Sequence, residues 1–166
     1  MSMLHKLFQQ AKRRDMKICF NPGKKELAQK DKLLGLLSDV DVLTLNKEEM
    51  QQLVSGEDLE ALVRRGLRLV PVVLVTDSVN GSIASDGKTI VRALMYDDRP
   101  SIDRTGAGDA FASGFLSEWA RSGNLKNSVI MGSANASSVV MKIGAKAGIL
   151  YAGTVLHAMP IQEREL

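Results

Sequence analysis

Three apolar runs separated by stretches of helical spacing constrain this chain more than anything else in it. They are MKICFNP at 16–22, DVDVLTLN at 39–46 and VPVVLVTDS at 70–78. Each is too short and too continuously apolar to be a half-solvated antiparallel strand, and each ends on a turn-forming or polar residue. Runs of this kind suit strands buried on both faces of a parallel sheet. Between and before them the pattern changes to a 3.6-residue period. Leu4, Leu7, Phe8 and Ala11 predict an amphipathic helix ending near Arg14, a second helix runs from Lys25 to Leu37, and short helices cover Glu48–Val54 and Asp58–Leu67. Strand alternating with helix is the signature of the α/β class.

The rhythm then breaks. GSIASDGKTIVRALMY at 81–96 holds two β-like runs around Asp86-Gly87, a dipeptide suited to a hairpin turn. Two long helices follow. The first carries Phe111, Phe115 and Trp119 at i, i+4 and i+8 and stops at Gly123, a residue suited to the left-handed position after a helix. The second is opened by Asn124 as N-cap and is dense in small residues, from Gly132 and Ser133 to Ser138. Such residues permit close helix–helix approach or close approach of a ligand. No internal repeat, low-complexity tract or linker divides the chain, so its 166 residues are expected to form one domain with a real core.

Charge excludes several functions. Against 19 acidic residues stand 22 Lys and Arg, and these are scattered in pairs such as Lys24-Lys25 and Arg64-Arg65. A nucleic-acid footprint would need them clustered in a stripe. No run approaches the roughly 18–20 apolar residues of a membrane span, and the polar N-terminus has no secretory apolar region. The lone Cys19 has no disulfide partner, which fits a reducing compartment. The expectation is a cytoplasmic protein binding neither nucleic acid nor membrane.

The stretch with most chemistry is DRTGAGDAF at 103–111. Gly106 and Gly108 can take positive φ, so the turn can point successive N–H groups one way, and the helix behind it adds unpaired donors and a positive dipole end. That makes an anion cradle, for which phosphate is a common guest. Asp109 in the first helical turn would repel a resident phosphate unless it served as a proton acceptor, and a base beside a phosphate site suggests phosphoryl transfer. Local physics also allows a plain alternative, in which the glycines make a turn and the aspartate serves the helix dipole. The chain has no GxxxxGK[ST] loop, and Gly106-Ala107-Gly108 lacks the third glycine of the dinucleotide fingerprint.

Asp103-Arg104-Thr105-Gly106-Ala107-Gly108-Asp109-Ala110-Phe111 closely resembles the D-T-x-G-A-G-D-x-F signature of ribokinase-like (PfkB) carbohydrate and nucleoside kinases. Further pieces stand in that family's order. LNKEEM resembles its N-x-x-E motif through Asn46 and Glu49, VVLVTDSVNGS its strand-T-x-G-x-x-G segment, and FNPGKKEL its D/N-P-N/G stretch at a strand end. The resemblance implies a ribokinase-like α/β fold, a mostly parallel sheet flanked by helices. It also implies a kinase using ATP and Mg²⁺ that phosphorylates a hydroxymethyl group of a sugar or nucleoside. Asp109 would be the catalytic base, and Gly106, Ala107 and Gly108 the anion hole. Asn46 and Glu49 would place Mg²⁺ through water, although Asn46 also suits a helix cap. Asn21 and Thr76 would line the nucleotide site, Asn135 would face adenine, and Asp103 and Thr105 would help to hold a monovalent cation such as K⁺; turn hydrogen bonding is the plain role for that last pair.

Two departures from the family pattern stand out. Ser78 occupies the glycine place of T-x-G. The N-terminal half, which in the family supplies a sugar-binding segment and a lid, has no counterpart before Met1, so the chain reads as the ATP-side half, truncated on its N-terminal side. The strand at Met16–Phe20 would then be an open edge, implying self-association or a missing N-terminal partner. Two functions stay open: a working phosphotransferase or its ATP-binding half, and a catalytically silent nucleotide-binding or interaction module.

Overall fold

The computed structural model describes residues 2–94, 101–156 and 158–166. Its elements in chain order are α1 (Ser2–Arg13), β1 (Cys19–Phe20), α2 (Lys24–Leu27), α3 (Lys30–Leu37), β2 (Val42–Asn46), α4 (Lys47–Leu53), α5 (Leu59–Gly66) and β3 (Val72–Thr76). After a single 3-10 turn at Ser78–Asn80 come β4 (Ser82–Ser85), β5 (Thr89–Ala93), α6 (Ala107–Ser122), α7 (Leu125–Val140) and β6 (Ile161–Glu165). The six strands lie in a mixed sheet in chain order, β1 to β6. The chain divides into two compact units, one built from Met1–Asp77, Ile83–Ile90 and Leu166, the other from Ser78–Ser82 and Val91–Glu165.

The first unit is the predicted parallel layer. β1 pairs with β2 and β2 with β3, both parallel, in a register that sets Leu43 opposite Val73, Leu45 opposite Val75 and Asn46 opposite Thr76. Period-2 alternation sends Leu43, Leu45, Val73 and Val75 to one face, where they join Phe8 of α1, Leu33 and Leu37 of α3, Met50 of α4 and Leu62 and Val63 of α5 in a single core. Seven of these ten residues are wholly inaccessible to solvent, each burial contributing roughly 1.5–3 kcal/mol before conformational entropy is subtracted. Parallel pairing leaves the carboxyl ends of β1, β2 and β3 at the same edge of the layer. Asn21, Asn46 and Thr76 all stand there.

The second unit rests on α6 against α7. Phe115 is fully buried and Phe111 nearly so, while Trp119 stacks on Phe115 with centroids 6.2 Å apart. Gly114 and Gly132 make the close approach possible: a Cβ on Gly132 would sit 2.7 Å from the Phe111 ring, and one on Gly114 2.9 Å from the Met131 carbonyl. The small residues of α7 therefore have a packing role. Gly123 ends α6 at φ 62°, and the Asn124 side chain accepts from the Asn127 N–H at 2.9 Å to open α7, as their residue types predict.

Three expectations need correction. The helix predicted over Lys25–Leu37 is two helices, broken at Ala28-Gln29 without glycine or proline. The first strand pairs over two residues only, Cys19 and Phe20, instead of running from Met16. β6 was not anticipated, because Ile161–Glu165 is mostly polar and exposed and carries no periodic apolar signal. The hairpin is present, with Gly87 at φ 81° and the Asp86 carboxylate accepting from Lys88 and Thr89 N–H; Met95 and Tyr96 of the predicted stretch lie outside the described residues. Among those residues no helix is long and apolar enough to cross a membrane.

Candidate functional site

The predicted site residues fall into two sets, one in each unit. In the first unit Asn46 is both the last residue of β2 and the N-cap of α4. Its Oδ1 accepts from the Glu49 N–H at 2.8 Å, and Glu49 Oε2 accepts from the Asn46 N–H at 3.0 Å. This reciprocal capping box satisfies two helix-end donors at once. It engages the Oδ1 of Asn46 and one oxygen of Glu49, leaving the Asn46 Nδ2 and Glu49 Oε1 outside the box. An amide nitrogen donates and cannot ligate a metal directly. The Asn46 Nδ2 can serve a phosphate oxygen or a water, and Glu49 can accept from a metal-bound water through Oε1. Among the described residues no group of three or more His, Cys, Asp or Glu could hold a metal ion directly. The donor set fits Mg²⁺ carried on phosphate oxygens with its waters retained.

Thr76 is half-buried directly opposite Asn46 in the sheet register. Beside it a half-exposed ion pair joins Lys47 to Asp77 at 3.4 Å, tying the start of α4 to the residue after β3. Asn21 is exposed just beyond β1, followed by the buried Pro22. Ser78, which stands where the family motif has glycine, lies at φ 48°. The backbone there keeps a left-handed conformation natural to glycine, at a cost of about 1 kcal/mol for a residue with a Cβ.

In the second unit Gly106 is the N-cap of α6, at φ 80° and with no side chain capping the helix. The Ala107 N–H bonds Arg104 O at 3.2 Å and the Ala110 N–H bonds Gly106 O at 2.8 Å. Between them, the N–H groups of Gly108 and Asp109 have no acceptor among the described residues. A Cβ added to Gly108 would meet nothing within 4 Å, whereas one added to Gly106 would stand 2.7 Å from both the Cβ and the carbonyl oxygen of Ala145. Gly106 is thus required by packing and backbone conformation, and Gly108 by neither. At the Cβ position of Gly108 there is open space among the described residues. Asp109 stands exposed in this first turn and makes no hydrogen bond or ion pair among the described residues.

Asp103 and Thr105 shape the turn. Asp103 Oδ1 accepts from the Thr105 N–H at 2.9 Å, and Oδ2 accepts from the Gly144 N–H at 2.9 Å, a bond spanning 41 residues. These backbone donors, Thr105 first and Gly144 second, hold the Asp103 carboxyl below the usual carboxylate range. The turn role is therefore directly visible for this pair. Asn135 is 5% exposed, and both ends of its amide are engaged within the chain: Nδ2 donates to Ala110 O at 2.8 Å, and Oδ1 accepts from the Leu150 N–H at 2.9 Å. Its amide is thus occupied within the chain. The bonds from Asp103 to Gly144 and from Asn135 to Leu150 had no signal in the sequence, because neither spacing corresponds to a local motif.

A family model described as pfkB family carbohydrate kinase matches residues 1–150. A cytidine kinase of Thermococcus kodakarensis is 31% identical over 146 residues, covering 84% of this chain and 51% of that protein. An ATP-dependent 6-phosphofructokinase of Thermoanaerobacterium thermosaccharolyticum is 26% identical over 146 residues, covering 84% of this chain and 45% of its own length. Among solved structures, a putative ribokinase II of E. coli in complex with ATP and Mg²⁺ superposes with a TM-score of 0.77 over 89% of this chain and 49% of that one. At 20% identity that likeness speaks for the fold alone. The chain spans about half the length of the curated relatives it matches.

Proposed function

The chain belongs to the pfkB family of carbohydrate kinases, and from that premise we propose that it is the nucleotide-side part of a phosphotransferase acting on a hydroxyl of a sugar or nucleoside. The observation that carries this is the α6 turn: two unengaged N–H groups, an open approach at Gly108 and an exposed carboxylate one residue further on. Bare helix-end donors stabilise an anion that gains charge during reaction, since they are preorganised and aligned with the helix dipole. Asp109 is the proton acceptor. As the acceptor oxygen bonds to the terminal phosphorus of ATP and the bond to the bridging oxygen breaks, the hydroxyl proton passes to the Asp109 carboxylate and ADP leaves with the bridging oxygen.

Mg²⁺ bound with the nucleotide supplies neutralising charge on the phosphate oxygens. Glu49 would hold a metal-bound water through Oε1, and the Asn46 Nδ2 would donate to a phosphate oxygen or a water. Thr76 and Asn21, at the same edge of the parallel layer, belong to the nucleotide side, in keeping with ligand sites at the carboxyl ends of parallel strands. Asp103 and Thr105 keep the glycine turn in shape, and a monovalent cation such as K⁺ at Asp103 is part of the proposal.

The second reading, a nucleotide-binding or interaction module without turnover, rests on the same residues, since the bare donors of α6 and the free ends of the Asn46–Glu49 pair can hold phosphates whether or not an acceptor is placed. Calorimetry with Mg·ATP, joined to a phosphorylation panel of sugars and nucleosides, separates the two. Turnover that falls by roughly 100-fold or more in Asp109→Asn, with nucleotide binding retained, supports the kinase. Binding without phosphorylation of any acceptor supports the module, and absence of Mg·ATP binding overturns the nucleotide reading itself.

A further inference from the structure

We propose that Asn135 is a positioning residue, joining the Gly144–Leu150 segment to the first turn of α6 so that the two move together. Its side-chain amide makes this link without charge, with a donor at one end and an acceptor at the other. The two partners fix which end is which: Ala110 offers a carbonyl oxygen and Leu150 an N–H. Ala110 directly follows Asp109, and its own N–H closes the first helical bond onto Gly106 at 2.8 Å. The segment on the other side touches the turn twice more. Gly144 donates to Asp103, and Ala145 fills the place a side chain on Gly106 would occupy. At its far end Gly148 packs against the Ser138 carbonyl of α7, where no Cβ would fit.

Buried hydrogen bonds of this kind are costly to break and leave orphaned groups behind, so the joint is stiff. Here one bond goes to the turn that carries Asp109, and the other leaves the helix pair for the segment. Loosening at Leu150 is therefore felt where the bare N–H groups and the carboxylate stand. The kinetic consequence rests on the function proposed above, with Asn135 setting the place of Asp109 without touching substrate; the mechanical link does not.

The test is amide hydrogen exchange and ¹⁵N chemical shifts on the full chain, as wild type, Asn135→Ala and Asn135→Asp. In Asn135→Ala the Leu150 amide should exchange roughly 10-fold faster or more, and the Gly108 and Asp109 resonances should shift, while Leu74 and Val129 keep their protection. Asn135→Asp, when ionised, keeps an acceptor for Leu150 and loses the donor to Ala110. It should shift Gly108 and Asp109 with Leu150 still slow, and it decides the matter if Asn135→Ala does not fold. In the wild type, Leu150 and Ala110 should open together as low urea is added. Independent openings overturn the proposal, as do unshifted Gly108 and Asp109 resonances in a folded variant or a uniform loss of protection through α6 and α7. If the chain turns over substrate, kcat in Asn135→Ala should fall about 10-fold with KM for ATP changed less than about 2-fold. A wild type that binds no Mg·ATP would refute the proposed function while leaving the exchange result to decide the joint.

Discussion

The starts of α4 and α6 solve the same physical problem in opposite ways. Every helix begins with donors its own backbone cannot satisfy. At α4, Asn46 and Glu49 answer one another, and the end is closed by its own side chains. At α6 the capping place is Gly106, which has no side chain to offer, and the next residues are Ala107 and Gly108. α5 and α7 are capped by side chains as α4 is, through Asp58 and Asn124, whereas α3 opens at Gln29 with no side-chain cap, so what sets α6 apart is the glycine turn with an exposed carboxylate behind it. The bare end at α6 forgoes about 1 kcal/mol of capping, and under the function proposed above an anion takes over the cap's work.

Substitutions at four residues break or sharpen that contrast. The largest effect belongs to Gly106→Ala, whose methyl meets Ala145 at 2.7 Å from a backbone at φ 80°. It should lower unfolding free energy by roughly 3 kcal/mol, read from the urea midpoint. Gly108→Ala sharpens the contrast from the other side. Its methyl meets nothing within 4 Å among the described residues, so stability should hold or rise by a few tenths of a kcal/mol, yet under the proposed function Mg·ATP affinity measured by calorimetry should fall about 10-fold because the methyl crowds the bound anion. Equal loss of stability and affinity would show the turn to be structural.

At the closed end, Asn46→Ala should cost about 1 kcal/mol in the same urea titration. Asn46→Ser should restore it, because a serine caps as well. It has no amide donor and adds no charge, so Mg·ATP affinity falling in this folded variant would locate a ligand role in Nδ2, and unchanged affinity would leave Asn46 a cap.

The smallest effect is one of pH. Asp103 has a folded pKa below its unfolded one, so its stabilisation is present above the ordinary carboxylate range and is lost as pH falls through the depressed folded value. Asp103→Asn should therefore be less stable than wild type at neutral pH, with the gap closing in acid. A gap that stays constant from neutral pH to below the carboxylate range would refute the assignment.

What the sequence disclosed follows from which interactions are local. The parallel layer was legible because Leu43, Leu45, Val73 and Val75 sit in continuous apolar runs that only buried strands explain. Caps at Asn46 and Asn124, the hairpin at Asp86-Gly87 and the stop at Gly123 are contacts within a few residues, so their chemistry is written in neighbouring letters. The break at Ala28-Gln29 was not legible, since neither residue disfavours a helix. β6 escaped because a strand of exposed polar residues has no apolar face to announce it. In the candidate site, the glycine turn and Asp109 were visible as a motif. The bonds of Asn135 and of Asp103 to Gly144 were not, because tertiary packing alone creates them.

The brevity of β1 bears on how this chain behaves at high concentration. An edge two residues long, bordered by the exposed Lys17 on one side and by Asn21 and Pro22 on the other, offers a passing strand almost no backbone rungs to add to. Fibrillar, ladder-type aggregation through this edge is disfavoured by geometry and charge together. Sticking at this end of the chain would have to run through side chains instead, through the exposed Met3, Leu7 and Met16. Contacts of that sort are greasy, reversible and weakened by cold.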